Sequence, residues 1–172
     1  MRSKVSFLLT ALLVGIAIAA ASYLTVNLPI WSYLHRPAID PLRLHLEGEF
    51  VESNLGSARQ ADGSITIRMI AEQYVFAPRC VLAAAGVPVH LRLTSGSAVH
   101  KLAISDTSVA LEAVPSAVTE ASVEFPRPGR YAIRCREFCG AGHYAMSGEV
   151  VVVPKSEFPS LQPAERANCA VR

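Results

Sequence analysis

Between residues 135 and 146 the sequence reads Cys-Arg-Glu-Phe-Cys-Gly-Ala-Gly-His-Tyr-Ala-Met, placing two thiols, an imidazole and a thioether within twelve positions. These are soft donors. Thiolate and thioether suit Cu(I), imidazole suits copper in either oxidation state, and the combination points to a copper electron-transfer site rather than to zinc. Zinc ribbons and redox-active dithiols favour two residues between their cysteines, whereas three separate Cys135 from Cys139. Gly140 and Gly142 admit positive φ, which a tight ligand loop often needs. A disulfide, or two inert buried thiols, is the ordinary alternative for two cysteines in an exported chain. His143 and Met146, four and seven places after Cys139, weigh against it.

Such a loop needs a frame to hold it. From Ser64 onward Ile65, Ile67 and Met69 alternate with Thr66 and Arg68, and Val87, Val89, Leu91 and Leu93 alternate with Pro88, His90, Arg92 and Thr94. Period two marks half-buried strands, and it puts His90 on a polar face, where it makes a poor ligand. Further strands are expected around residues 99–104, 117–125, 129–135 and 148–153, with Pro126-Arg127-Pro128-Gly129 as a turn. Short strands without a helical period indicate an antiparallel β-sandwich. Its rigidity would hold ligands nearly fixed between oxidation states. The loop falls between the last two strands and leaves one donor to come from elsewhere. His100, which opens a strand after Thr94-Ser95-Gly96, is the candidate, although alone it would read as a half-buried strand histidine. Lys101 beside it would point to the opposite face.

The chain has 172 residues, 51% of them hydrophobic, which suits one domain with a core plus one apolar segment. Lys and Arg total 16 against 14 Asp and Glu; Arg2 and Lys4 precede the apolar segment, so the remainder is balanced. That balance excludes the basic footprint of a nucleic-acid binder. Val5 to Val26 carries no charge, long enough for the roughly 20 residues of a membrane-spanning helix. Arg2 and Lys4 put the N-terminus in the cytoplasm and the rest outside. A cleaved signal peptide, suggested by Ala19-Ala20-Ala21, is the rival, and length favours a retained anchor. Either way the globular part is exported, where a metal must itself protect thiolates against oxidation. The expected organisation is an anchor over 1–26, a linker over 27–63, a copper-binding sandwich over 64–154 and a loosely ordered tail over 155–172. Trp31, Tyr33 and His35 suit a membrane interface, and His35 and His45 read as surface histidines. Cys80 and Cys169 lie outside the loop; an exported location permits a disulfide between them, but their distance is not readable.

One upstream histidine followed by Cys-x-Glu-x-Cys-x-x-x-His-x-x-Met resembles the dinuclear copper site of cytochrome c oxidase subunit II. The resemblance runs from about Glu47 to Val153 and includes Glu52-Ser53-Asn54-Leu55-Gly56, Gln73-Tyr74-Val75-Phe76, Val99-His100 and Pro128-Gly129. It implies an all-β, cupredoxin-like Greek-key β-sandwich preceded by one N-terminal transmembrane helix. It further implies that Cys135 and Cys139 bridge two copper ions and that His100 and His143 each bind one. Met146 would be a weak ligand to one copper and the backbone carbonyl of Glu137 to the other. Two shared thiolates spread one electron over both metals; a single-copper site needs one cysteine, so Cys139 is the decisive residue. In the family the Glu137 side chain can also touch a magnesium ion at the interface with subunit I. Electrons would arrive from cytochrome c or another periplasmic donor and leave for a haem of subunit I, in a bacterial-type inner membrane. Tyr74 and Phe76 resemble an aromatic stretch near the family's copper, although strand aromatics are more often core.

The sequence departs from the family's pattern in three places. Ser97 stands where an acidic residue usually precedes the first histidine by three, which puts the family's interface contacts there in doubt. One apolar segment replaces the usual two. No carboxylate occurs before Asp40, so oxygen chemistry and proton pumping would belong to other subunits. Two rival functions share parts of the pattern. A membrane-tethered copper carrier or assembly protein can use the same cysteine spacing and a distant histidine, but on a thioredoxin-like fold with proline after the second cysteine, where Gly140 stands here. The copper subunit of a nitrogen-oxide reductase would have the same ligands; the single anchor and compact size favour the oxidase.

Overall fold

The computed structural model describes residues 10–25, 39–158 and 169. The chain forms two compact units, Met1–Pro37 and Ala38–Arg172. In the first, residues 10–25 form an α-helix with Leu12, Leu13, Ile16 and Ile18 exposed. Among the described residues no helix is long and apolar enough to cross a membrane. These sixteen residues fall short of the full expected span, and a crossing needs roughly 20. Both ends of the span from Val5 to Val26 lie outside the described residues, as do Trp31, Tyr33 and His35.

Among its described residues the second unit contains ten strands and no α-helix. They are β1 (Gly56–Arg59), β2 (Ile65–Glu72), β3 (Val75–Ala77), β4 (Cys80–Ala84), β5 (Pro88–Ser95), β6 (His100–Ile104), β7 (Ala110–Ala113), β8 (Thr119–Glu124), β9 (Gly129–Cys135) and β10 (Ser147–Val153). One sheet has the order β1-β2-β5-β8, with β3 also paired to β2; the other has the order β4-β10-β9-β6-β7. Ile67, Met69, Leu91, Leu102, Ile133 and Val150 belong to the main apolar core. The expected sandwich is therefore present, with a correction: β2 pairs parallel with β5, and β10 parallel with β4. Side-chain periodicity reports which face a residue occupies and carries no information on chain direction.

β5 shows the expected alternation as far as Leu93, with Val89, Leu91 and Leu93 buried and Pro88 and His90 exposed, whereas Thr94, expected on the polar side, is buried. His90 Nδ1 lies 3.0 Å from Ser122 Oγ on the outer surface. β2 does not alternate, because Thr66, Ile70 and Ala71 are buried along with Ile65, Ile67 and Met69. The cause is the segment before it. Leu44, Phe50 and Leu55 form a small second core with Ile70. From the same segment Glu49 accepts hydrogen bonds from Arg68 Nε at 2.9 Å and Arg92 Nη2 at 2.8 Å, joining two arginines that face each other across the parallel pair. Burial raises the Glu49 carboxyl, but the hydrogen bonds and charges of Arg92 and Arg68 outweigh it and hold the group below its ordinary value.

The described part of the linker expected over 27–63 is thus corrected: it carries this cover and a strand. Gly-Ser-Ala-Arg of β1 has no apolar alternation to announce it, because its first three residues are all buried. The tail is also less loose than expected at its described points. Phe158 is buried beneath the Arg59 guanidinium, 4.9 Å from its ring centre, and Cys169 is disulfide-bonded to Cys80.

Candidate metal centre

Three neighbouring strands bring their donors to one end of the second sheet. β9 runs antiparallel to both β6 and β10. Consequently the start of β6, which is His100, meets the end of β9, which is Cys135, and the start of β10, which Met146 immediately precedes. The junction is hydrogen-bonded: Cys135 N–H donates to Met146 O at 3.3 Å and Arg136 N–H to Lys101 O at 2.7 Å. The intervening loop closes through a 3-10 turn, His143–Ala145, in which His143 N–H donates to Gly140 O and Met146 N–H to His143 O, both at 3.1 Å.

Within this frame all six expected donors converge. The two sulfurs, Cys135 Sγ and Cys139 Sγ, are 3.8 Å apart and both cysteines are free. His100 Nδ1 is 4.0 Å from Cys135 Sγ, and His143 Nδ1 is 3.8 Å from Cys139 Sγ. The Glu137 carbonyl oxygen lies 3.3 Å from Cys135 Sγ and Met146 Sδ lies 3.8 Å from Cys139 Sγ. Each sulfur therefore has one imidazole and one weaker donor of its own. His100, Cys135, Cys139 and Met146 are buried, His143 is half-buried, and the Glu137 side chain is exposed. Lys101 is turned to the outer face, 4.0 Å from Glu112, and His45 is an exposed partner of Glu72 at 2.8 Å.

The chemistry of the donors supports a soft cation here. Burial first, then the hydrogen bond and charge of Cys135, push the Cys139 thiol up to about 11. Burial, and secondarily the charge of His143, hold His100 below the ordinary imidazole value. In the chain alone both shifts favour the neutral forms of Cys139 and His100. A metal that displaces the thiol protons would supply the positive charge that two adjacent thiolates require. Two thiols, two imidazoles and a thioether match copper better than a hard cation, which prefers oxygen.

Supporting contacts escape a reading by spacing. Gln73 Nε2 donates to Cys139 O at 2.7 Å, tying the loop to the turn between β2 and β3. The neighbouring Tyr74 ring lies across the loop, and a Cβ at Gly140 or Gly142 would run into it. Gly140 also has φ +128°, as the loop was expected to require, whereas Gly142 has φ −88° and is glycine for lack of room. Ser97 Oγ stands 3.4 Å from His100 Nε2, the nitrogen turned away from the sulfur. Phe76 is wholly buried in the core. Gln73 and Tyr74 sit beside a short strand with no ligand nearby in sequence, so only the adjacent glycines hint that a bulky group crosses the loop.

The sequence matches the family described as cytochrome c oxidase subunit II, periplasmic domain, over residues 65–153. Cytochrome c oxidase subunit 2 of Thermus thermophilus is 26% identical over 147 residues, covering 86% of this chain and 88% of that protein. Heme-copper oxidase subunit 2 of Aeropyrum pernix is 35% identical over 72 residues, or 41% of this chain and 31% of the other. A chain in a solved heme-copper terminal oxidase dimer superposes with a TM-score of 0.53 at 23% identity, covering 89% of this chain and 100% of that one. These likenesses agree with the cupredoxin-like sandwich built above.

Proposed function

Because the chain belongs to the cytochrome c oxidase subunit II family, we propose that it is the electron-transfer subunit of a haem-copper terminal oxidase, taking electrons from cytochrome c or another periplasmic donor and delivering them to the haem of subunit I. The observation that carries the reading is the 3.8 Å approach of two free buried thiols, each with its own imidazole. Cys135 and Cys139 would both hold a pair of copper ions, which would supply one-electron redox chemistry at the site. His100 and His143 would each bind one ion, with the Glu137 carbonyl and Met146 as weak ligands. Gln73 and Tyr74 hold the loop in place, so the donors need little movement when charge changes.

The two histidines differ in what surrounds them. His100 is sealed in the protein, whereas the His143 ring lies between Phe138 and Tyr144, at 5.9 and 5.1 Å, and both of these rings are exposed. Exposed aromatic surface around a ligand suits a covered interface, and we assign it to the haem-bearing subunit I. The exposed Glu137 carboxylate is then open to a magnesium ion at that interface. The uncharged run from Val5 to Val26, with Arg2 and Lys4 before it, supports a single-pass anchor with a cytoplasmic N-terminus and the copper domain outside. The copper-carrier alternative loses its thioredoxin-like fold, since the described part of the second unit has strands and no α-helix. In the assembled oxidase, Cys139→Ser should abolish reduction of the subunit I haem by cytochrome c while dithionite still reduces that haem. Unchanged reduction by cytochrome c would contradict the proposal.

A further inference from the structure

The outer face of the second sheet has a charge pattern that the copper site does not use. Along β9, Tyr131, Ile133 and Cys135 point inward and are buried, while Arg130 and Arg134 are exposed, as is Arg136 just beyond the strand. Two exposed arginines therefore flank Cys135 in the chain. Arg79, before β4, joins Arg130 and Arg134 around a groove of about 400 Å³. Its backbone is fixed there: Glu149 N–H donates to Arg79 O at 2.8 Å, and Gly148 leaves no room for a Cβ against that oxygen, which it would meet at 2.6 Å.

Two acids of this sheet are already engaged. Glu149 accepts from Arg130 Nε at 2.9 Å and Arg130 Nη2 at 2.6 Å, and Glu112 faces Lys101 at 4.0 Å. Arg79, Arg134 and Arg136 have no acidic partner among the described residues. The chain beyond Lys4 has equal numbers of basic and acidic residues. The excess at Arg79, Arg134 and Arg136 is therefore local: the exposed Glu137 follows Arg136 in the loop, Asp106 is exposed at the turn between β6 and β7, and the exposed Glu120 and Glu124 lie on β8 in the other sheet.

Building on the electron-transfer reading above, we propose that this arginine face, centred on Arg79, Arg134 and Arg136, is the docking surface for the electron donor, and that the donor presents an acidic face to it. A field of one sign beside a redox site raises the encounter rate of an oppositely charged protein and orients it. The orientation is productive because Arg136 N–H is held by Lys101 O and Cys135 is the next residue, so a donor against the arginines lies against the strand that carries a bridging sulfur. A basic cytochrome would meet like charge.

The test uses the full-length chain, copper-loaded in neutral detergent, with an acidic and a basic cytochrome c of matched potential as probes. Stopped-flow reduction by the acidic cytochrome should slow about tenfold from low to high salt, the lower end of electrostatic steering. Reduction by the basic one should quicken. Arg134→Glu with Arg136→Glu should slow the acidic donor about tenfold at low salt, leave the copper spectrum intact and speed the basic donor. Glu120→Lys on the other sheet should change neither. Rates with the acidic donor that ignore both salt and the arginine reversals would overturn the proposal. So would reversals that affect only binding to phosphatidylglycerol vesicles or only recovery of subunit I. If no copper centre forms, the electron-transfer reading fails by itself, and calorimetric binding of the acidic cytochrome to the metal-free chain decides the docking surface: salt-sensitive binding lost on arginine reversal supports it, and no binding overturns it.

Discussion

The two cysteine pairs of this chain share a residue type and a compartment and end in different chemical states. Cys80 and Cys169, 89 residues apart, are joined with their Cα atoms 5.5 Å from each other, within the usual range for a disulfide. Cys135 and Cys139 are free and their sulfurs are 3.8 Å apart. Their neighbours differ. Around the bonded pair are oxygens, the Glu149 carboxylate 3.3 Å from Cys80 Sγ and the Val81 carbonyl 3.7 Å from Cys169 Sγ. Around the free pair are two imidazoles and a thioether. A thiol pair among soft donors is built for a metal, whereas one among oxygens is left to cross-link.

Substitutions at the two pairs should break this contrast in opposite ways. Cys139→Ser removes a shared sulfur and should lower copper from two per chain to one at most, a greater loss than the roughly 100-fold in affinity that an outer-shell partner costs. Elemental analysis checks it. Cys169→Ser should instead cost about 2–4 kcal/mol of stability, seen as a lower Tm, and leave the copper spectrum unchanged. A changed spectrum would mean that the pairs are not independent.

Glu49 supplies a polar cluster that balances its own charge, against which the metal pocket can be judged. Glu49→Gln should cost about 1–3 kcal/mol at neutral pH, by leaving Arg68 and Arg92 short of an anion. The folded carboxyl titrates below its unfolded value, so its contribution is complete above the unfolded value of 4.5 and disappears as pH falls through the lower folded one. Thermal melts of both proteins across that range should converge at the acid end. The smallest effect belongs to Met146→Leu, which should keep two coppers and shift the reduction potential. A copper count that falls as far as in Cys139→Ser would exclude Met146 as a weak ligand.

Much of the candidate centre is legible in the sequence because its chemistry is local. Four of the proposed donor side chains lie in one loop, and His100 stands at the start of a strand whose period is visible. The alternation of β5 is legible for the same reason. What escapes depends on contacts between distant segments. The cover over β2 comes from Leu44, Glu49 and Phe50 in a stretch without periodicity, and it turns an alternating strand into one buried on both faces. The parallel pairs depend on crossovers. The Cys80–Cys169 bond was open because sequence carries no distance, and Gln73 reaches Cys139 across 66 positions.

The central claim is that Cys135 and Cys139 are held together for two metals sharing one electron. Electron paramagnetic resonance of the copper-loaded, oxidised full-length chain tests it most directly. The account predicts hyperfine splitting from two equivalent copper nuclei in a purple protein, with Cys139→Ser eliminating that pattern. A four-line spectrum from one copper in the unaltered chain would contradict it.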